Sequence, residues 1–242
     1  MDEKLKKIID NSRSIVFFGG AGVSTESNIP DFRSEKGLYS AKKEYGISPE
    51  EILSHSFFMK NTPTFFDYYF KHMIYPDAMP NKAHIALARL EEEGKLKAVV
   101  TQNIDGLHQK AGSKAVYELH GSVMRNNCMR CGAFYDLYYI MEEAHRVSGV
   151  PTCPVCGGII KPDVVLYEEG LDEAVIENAV SAISNADTMI IGGTSLVVYP
   201  AAGFIRYFRG KNLVLINKQP TLYDSNADLI IREAIGEVMA ID

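Results

Sequence analysis

The chain has 242 residues, 46% of them hydrophobic and 23% charged, with a formal net charge of −6. That length holds one large domain or one domain with a small insertion. An acidic balance without a basic stripe argues against a nucleic-acid binder, and the lack of apolar runs of about 18 residues argues against membrane spans. A cytoplasmic location is expected.

Residues 1–14 read as a short amphipathic helix with Leu5, Ile8 and Ile9 on one face. The run SIVFF (14–18) follows as a first strand and enters the turn Gly20-Ala21-Gly22. Glycines after a buried strand let backbone approach a pyrophosphate, and helix-start N–H groups complement its charge. This turn then departs from the usual dinucleotide fingerprint. Thr25 replaces the third glycine, and Pro30 stops any helix near Asn28. No second strand ends in an acidic residue where a dehydrogenase would hold its ribose. A dinucleotide is suggested, ordinary hydride transfer is not. Pro30-Asp31-Phe32-Arg33 reads either as a loop folded over the ligand or as plain surface.

Residues 35–80 read as helices and loops rich in aromatics, and 81–94 as a helix. KAVVT (97–101) is a strand ending in Gln102-Asn103-Ile104-Asp105-Gly106-Leu107-His108, and AVYEL (115–119) one ending in His120-Gly121-Ser122. After the cysteine-bearing stretch 123–162, a helix is expected over 171–186. TMIIG (188–192) then precedes Gly193-Thr194-Ser195-Leu196, NLVLI (212–216) precedes Asn217-Lys218, and DLII (228–231) closes the series. Short, nearly continuous apolar runs alternating with helices imply an α/β fold, a Rossmann-like parallel sheet with helices on both faces. The expected organisation is a large domain (about 1–34, 81–122 and 163–242), a helical insertion (about 35–80) and a zinc-binding module (about 123–162). Polar clusters after several strands converge on one sheet edge, where such folds bind ligands.

Cys128-Met-Arg-Cys131 and Cys153-Pro-Val-Cys156 form two C-x2-C knuckles about twenty residues apart. That spacing matches a tetrahedral site of four thiolates for one zinc ion. Two disulfides are disfavoured without a secretory signal, and a redox site needs no second pair. Four thiolates leave zinc no open position, so the metal is expected to be structural and no cysteine remains as a nucleophile. Among six histidines, His120 closes a buried strand and precedes a glycine, which suits a general base at the crevice. The others, His84 and His108 included, read as surface or packing residues.

GAGVSTESNIPDFRS, TQNIDGLHQKAG, ELHGS, the two cysteine pairs, GTSLVVYPAA and the late Asn217 occur in one order over nearly the whole chain. In this the chain resembles the sirtuins, NAD-dependent protein lysine deacetylases. The resemblance implies that Ala21, Gly22 and Thr25 contact the phosphates and ribose, and that Phe32 and Arg33 cover the reacting ribose. Ile104 and Asp105 would bind the nicotinamide carboxamide, with Gln102 and Asn103 on the ribose side. Gly193, Thr194, Ser195 and Asn217 would hold the adenosine half, and Lys218 and Ile235 would sit beside the adenine. His120 would take a ribose hydroxyl proton, and Asn103 would order a water.

NAD is consumed in this reading, giving nicotinamide, deacetylated lysine and O-acetyl-ADP-ribose. The acetyl-lysine peptide would lie as an extended strand between 164–167 and 195–198, against Val165, Tyr167 and Val198. A monomer without nucleic-acid or membrane partners is expected. Many sirtuins read Phe-Gly-Glu where this chain reads Tyr167-Glu168-Glu169, so Glu168 either alters the loop and its preference or faces solvent. No arginine stands in 65–70 to pair an acidic acyl group, so acetyl and neutral acyl groups are expected. The same fold would also serve an NAD-dependent ADP-ribosyltransferase, or a zinc-ribbon module with an inert nucleotide fold.

Overall fold

The computed structural model describes residues 2–31 and 42–240, so Phe32 and Arg33 lie outside the described residues. Every side chain of β1 (Ile15–Gly19) is buried, because the strand lies mid-sheet with cover on both faces. It is flanked by β2 (Leu96–Thr101) and then β3 (Val116–Glu118) on one side, and by β9 (Thr188–Gly192), β10 (Asn212–Ile216) and β11 (Leu229–Ile231) on the other. The order is β11-β10-β9-β1-β2-β3, with all pairings parallel. Alternation along β1 sends Phe17 to one face and Val16 and Phe18 to the other. Phe17 meets Leu5, Ile9, Leu87 and Leu90 from the helices Glu3–Asn11 and Lys82–Glu92. Phe18 meets Ala179 and Ile183 of the helix Glu173–Ser184.

Helix starts follow local chemistry. Asp2 accepts from the Lys4 and Leu5 amides, and Asp172 accepts from the Val175 amide. Asn81 and His84 form a reciprocal capping box at the start of Lys82–Glu92. Among the described residues no helix is long and apolar enough to cross a membrane.

The second lobe comprises β4 (Gly121–Cys128), β5 (Phe134–Asp136), the two-residue strands β6 (Arg146–Val147) and β7 (Val150–Pro151), and β8 (Ile160–Val164). β4 pairs antiparallel with both β5 and β8. Helices His55–Lys60 and Thr62–His72 bury Phe58, Phe65, Phe66 and Tyr69 against Val123, Ile140, Ile160 and Leu166 of this lobe. The aromatic-rich and cysteine-bearing stretches therefore share one apolar core. Gly121 makes the entry possible: it has φ +73°, and a Cβ there would lie 1.8 Å from the Asp163 carbonyl oxygen. Arg125 spans the junction, donating to Glu118 at the end of β3 (2.6 Å) and to Asp163 on β8 (2.8 Å).

Candidate active site

The chain runs from β1 to β2 and β3 on one side and returns to β9 on the other, so the switch point lies between β1 and β9. Ligand sites of open α/β sheets form there, at the strands' carboxyl ends. The Gly22 amide donates to the Gly193 carbonyl at 2.8 Å. A Cβ on Gly22 would lie 2.7 Å from the Gly193 Cα, and one on Gly193 (φ +59°) 2.3 Å from the Val23 nitrogen. These glycines thus let one turn press on another. The chain after Gly20 makes two 3-10 turns, Ala21–Val23 and Thr25–Ser27, ended by Asn28 in the left-handed region at φ 63°. That is the short helical start expected before Pro30.

A cleft of about 1420 Å³ opens over this edge. Ala21, Gly22 and Thr25 line it from the first turn, Gln102, Asn103, Ile104, Asp105 and His120 from the β2 and β3 ends. Gly193, Thr194, Ser195, Asn217, Lys218 and Ile235 line it from the other half of the sheet, and Val165, Tyr167 and Val198 from its outer mouth. Sequence positions up to 214 apart (21 to 235) therefore meet on one surface.

The centre is a hydrogen-bonded chain. The Asn103 side-chain amide donates to Ser24 Oγ (3.0 Å), which donates to Asp105 Oδ2 (2.6 Å). Asp105 Oδ1 accepts from the Leu107 amide at 2.9 Å, so the carboxylate is held at both oxygens. Gln102 Nε2 donates to Thr194 Oγ1 at 3.1 Å and ties the two sheet halves together. His120 Nδ1 lies 3.0 Å from the Gln102 carbonyl oxygen. A carbonyl only accepts, so Nδ1 carries the proton and Nε2 is left as the base. Burial lowers the His120 pKa, partly opposed by the Gln102 bond, so the neutral ring prevails at pH 7.

At the mouth, Val165 N donates to the His120 carbonyl (3.0 Å), and Tyr167 exchanges backbone bonds with Leu53 and His55. Glu168 takes φ +78°, a region glycine enters freely and other residues rarely. Its carboxylate accepts from Ser56 N and Oγ, both at 2.9 Å, which offsets that cost. The side chain is exposed but tied to the helix His55–Lys60 rather than free in solvent.

Away from the cleft, the four cysteine sulfurs lie within 4.8 Å of one another. Cys128 and Cys156 sulfurs are 3.4 Å apart, and those of Cys131 and Cys153 3.7 Å. Four sulfurs at about 2.3 Å from one zinc ion would be about 3.8 Å apart, so the set fits the metal. The Tyr135 hydroxyl sits 3.0 Å from the Cys153 sulfur.

A family model described as the Sir2 family matches residues 20–200. The chain belongs to the Sir2 family. This Sir2 chain is 63% identical over 236 residues to an NAD-dependent protein deacetylase of Clostridium acetobutylicum, covering 98% of the chain and 95% of the relative. It is 65% identical over 237 residues to one of Clostridium perfringens, covering 98% and 96%. Among solved structures, a Sir2–p53 peptide–NAD+ complex aligns with TM-score 0.85 and 35% identity over 99% of this chain and 96% of that one. Sir2Tm bound to a propionylated peptide aligns with TM-score 0.85 and 36% identity over 98% and 94%.

Two parts of the Sir2 chain's site were not singled out from sequence. Ser24, flanked by the expected residues Gly22 and Thr25, joins Asn103 to Asp105. The other is a pair of buried rings behind the cleft floor. His84 and His108 lie 4.7 Å apart, and His84 Nε2 and both His108 ring nitrogens lack a hydrogen-bond partner among the described residues. Burial pushes His84 down to about 4 and His108 down to about 3. The unfolded chain takes up these protons near pH 6.5, the folded one only near those lower values. Stability is then whole above about pH 6.5 and falls as pH drops toward 4, by about 1 kcal/mol per pH unit for each ring. Urea melts between pH 7 and 5 should show that slope, and His108→Leu should flatten it. Equal slopes in both proteins would refute the assignment.

Proposed function

We infer that this Sir2 chain is an NAD-dependent protein deacetylase that removes acetyl groups from lysine side chains, giving nicotinamide, deacetylated lysine and O-acetyl-ADP-ribose. The observation that carries this reading is His120, half-buried with Nδ1 tied to Gln102, beside the Asn103–Ser24–Asp105 chain. When bound, NAD supplies a ribose carbon activated by its nicotinamide leaving group. Ala21, Gly22 and Thr25 would hold its phosphates and ribose, and Gly193, Thr194, Ser195, Asn217, Lys218 and Ile235 its adenosine half. Ile104 and Asp105 would grip the carboxamide, with Phe32 and Arg33 covering the reacting ribose.

His120 Nε2 would accept a proton from a ribose hydroxyl of the bound nucleotide, making that oxygen the nucleophile toward the acetyl carbon, with nicotinamide and then the lysine nitrogen as the groups that leave. Ser24 occupies the Asn103 amide nitrogen, leaving the Asn103 carboxamide oxygen as an acceptor for an ordered water. An acetyl-lysine peptide lies in the mouth against Val165, Tyr167 and Val198, where confinement beside the ribose raises effective concentration. Cys128, Cys131, Cys153 and Cys156 hold structural zinc and touch no reacting atom. We take the large domain, helical insertion and zinc-binding module, with the boundaries given above, as the working units of the enzyme.

Mass spectrometry of all products from protein, NAD and acetyl-lysine peptide tests the assignment. Equal amounts of nicotinamide, deacetylated peptide and O-acetyl-ADP-ribose are expected. ADP-ribose attached to protein would instead identify a transferase, and absence of NAD turnover would reject both.

A further inference from the structure

The far end of the cleft is formed by the loop that leaves β10, and its shape depends on a side chain outside the cleft. Asn217, Lys218 and Gln219 line the cleft, whereas Arg232, just past β11, does not. Arg232 Nη1 donates to the Asn217 and Gln219 carbonyl oxygens, at 3.1 Å each. Its Nη2 pairs with Asp224. Asp224 Oδ1 in turn accepts from Thr221 N at 3.0 Å and Thr221 Oγ1 at 2.8 Å. One guanidinium thus grips the loop at three places.

The Gln219 carbonyl is the hinge of this arrangement. It also accepts from Asn217 Nδ2 at 2.8 Å. The carbonyl held by Arg232 therefore fixes the Asn217 amide, with its nitrogen occupied and its Oδ1 left to accept a hydrogen bond. A hydroxyl of the adenosine ribose is the donor this oxygen suits. The grip needs the planar fork, because an ammonium is a point charge that cannot reach two carbonyls and a carboxylate in the same geometry. The Arg232 side chain is 34% exposed, and exposed ion pairs add little to global stability. Its effect should therefore fall on the loop rather than on the fold.

We propose that Arg232 is a positioning residue for the adenosine end of NAD, orienting Asn217 through the Gln219 carbonyl. The kinetic part of this inference rests on the deacetylase reading; the binding part does not.

The test compares wild type, Arg232→Met and Arg232→Lys. Initial rates are measured against NAD and against peptide, ADP-ribose binding by calorimetry, and stability by thermal melts. In Arg232→Met the KM for NAD and the Kd for ADP-ribose should rise about five- to tenfold, the loss of roughly one well-placed hydrogen bond. The peptide KM should not change, and the melting temperature should move by less than about 3 °C. Arg232→Lys, which keeps the charge without the fork, should resemble Arg232→Met more than wild type.

Unchanged NAD and ADP-ribose affinities would overturn the proposal. So would equal losses for NAD and peptide with a lowered melt, which mark a general structural role. A wild type that binds ADP-ribose without deacetylating would reject the activity but leave the binding comparison decisive. A wild type without affinity for ADP-ribose would reject the inference itself.

Discussion

Replacing His120 by alanine is expected to lower kcat/KM for an acetyl-lysine peptide by about 10²–10⁴-fold, the usual range for losing a general base. The size of the effect follows from how the ring is held. Gln102 fixes the tautomer through Nδ1, and the remaining nitrogen is the proton acceptor. Burial, the larger influence, lowers the pKa, and the carbonyl bond partly restores it. The base is therefore active above that lowered value, and wild-type activity should fall only as pH drops below the ordinary imidazole value of about 6.5. Rates from pH 5 to 9 read this directly. An alanine variant with undiminished product formation would remove His120 from the chemistry, and an acid limb above pH 7 would contradict the burial argument.

Much of this fold is legible in the sequence because parallel strands buried on both faces leave unbroken apolar runs. TMIIG and NLVLI coincide with β9 and β10, and SIVFF differs from β1 by one residue at each end. AVYEL is longer than β3, which pairs over three residues at the sheet edge. The cysteine spacing is legible for a different reason: zinc geometry demands two close pairs, and the chain supplies them.

The remainder depends on distant partners. Ser24 is one serine in a turn, and its place in the site exists only because Asn103 and Asp105 arrive from β2. His84 and His108 read singly as ordinary packing residues, and only the folded chain brings their rings together and leaves His84 Nε2 and both His108 nitrogens without a partner among the described residues. Glu168 carries no local signal for Ser56, 112 residues away. Arg232 is likewise silent, since a basic residue after a strand is usually solvated surface.

Stripping the zinc should have the broadest effect, although the metal lies away from the chemistry. Cys128 and Cys153 are buried in the same core as Val123, Ile140, Ile160 and the aromatics of the helical insertion. Without the ion, four sulfurs remain crowded there and the metal tie between the Cys128 end of β4 and the knuckle before β8 is lost, leaving the Arg125–Asp163 ion pair near the other end. Structural zinc contributes about 10–16 kcal/mol in small zinc-dependent peptides, so even a fraction of that lowers the melt by roughly 10 °C. The damage should reach the cleft, because β8 runs into Val164, Val165 and Leu166, and Val165 bonds to the His120 carbonyl. Chelation or Cys153→Ser should therefore release one zinc per chain, abolish deacetylation and lower the melt by that amount. Reloading with cadmium, another thiolate-seeking ion, should restore both, since four sulfurs leave the metal no site for substrate. A reloaded protein that melts normally but turns over at a different rate would place the metal in the reaction. A metal-free protein with its melt and activity intact would show that the lobe's apolar core suffices without it.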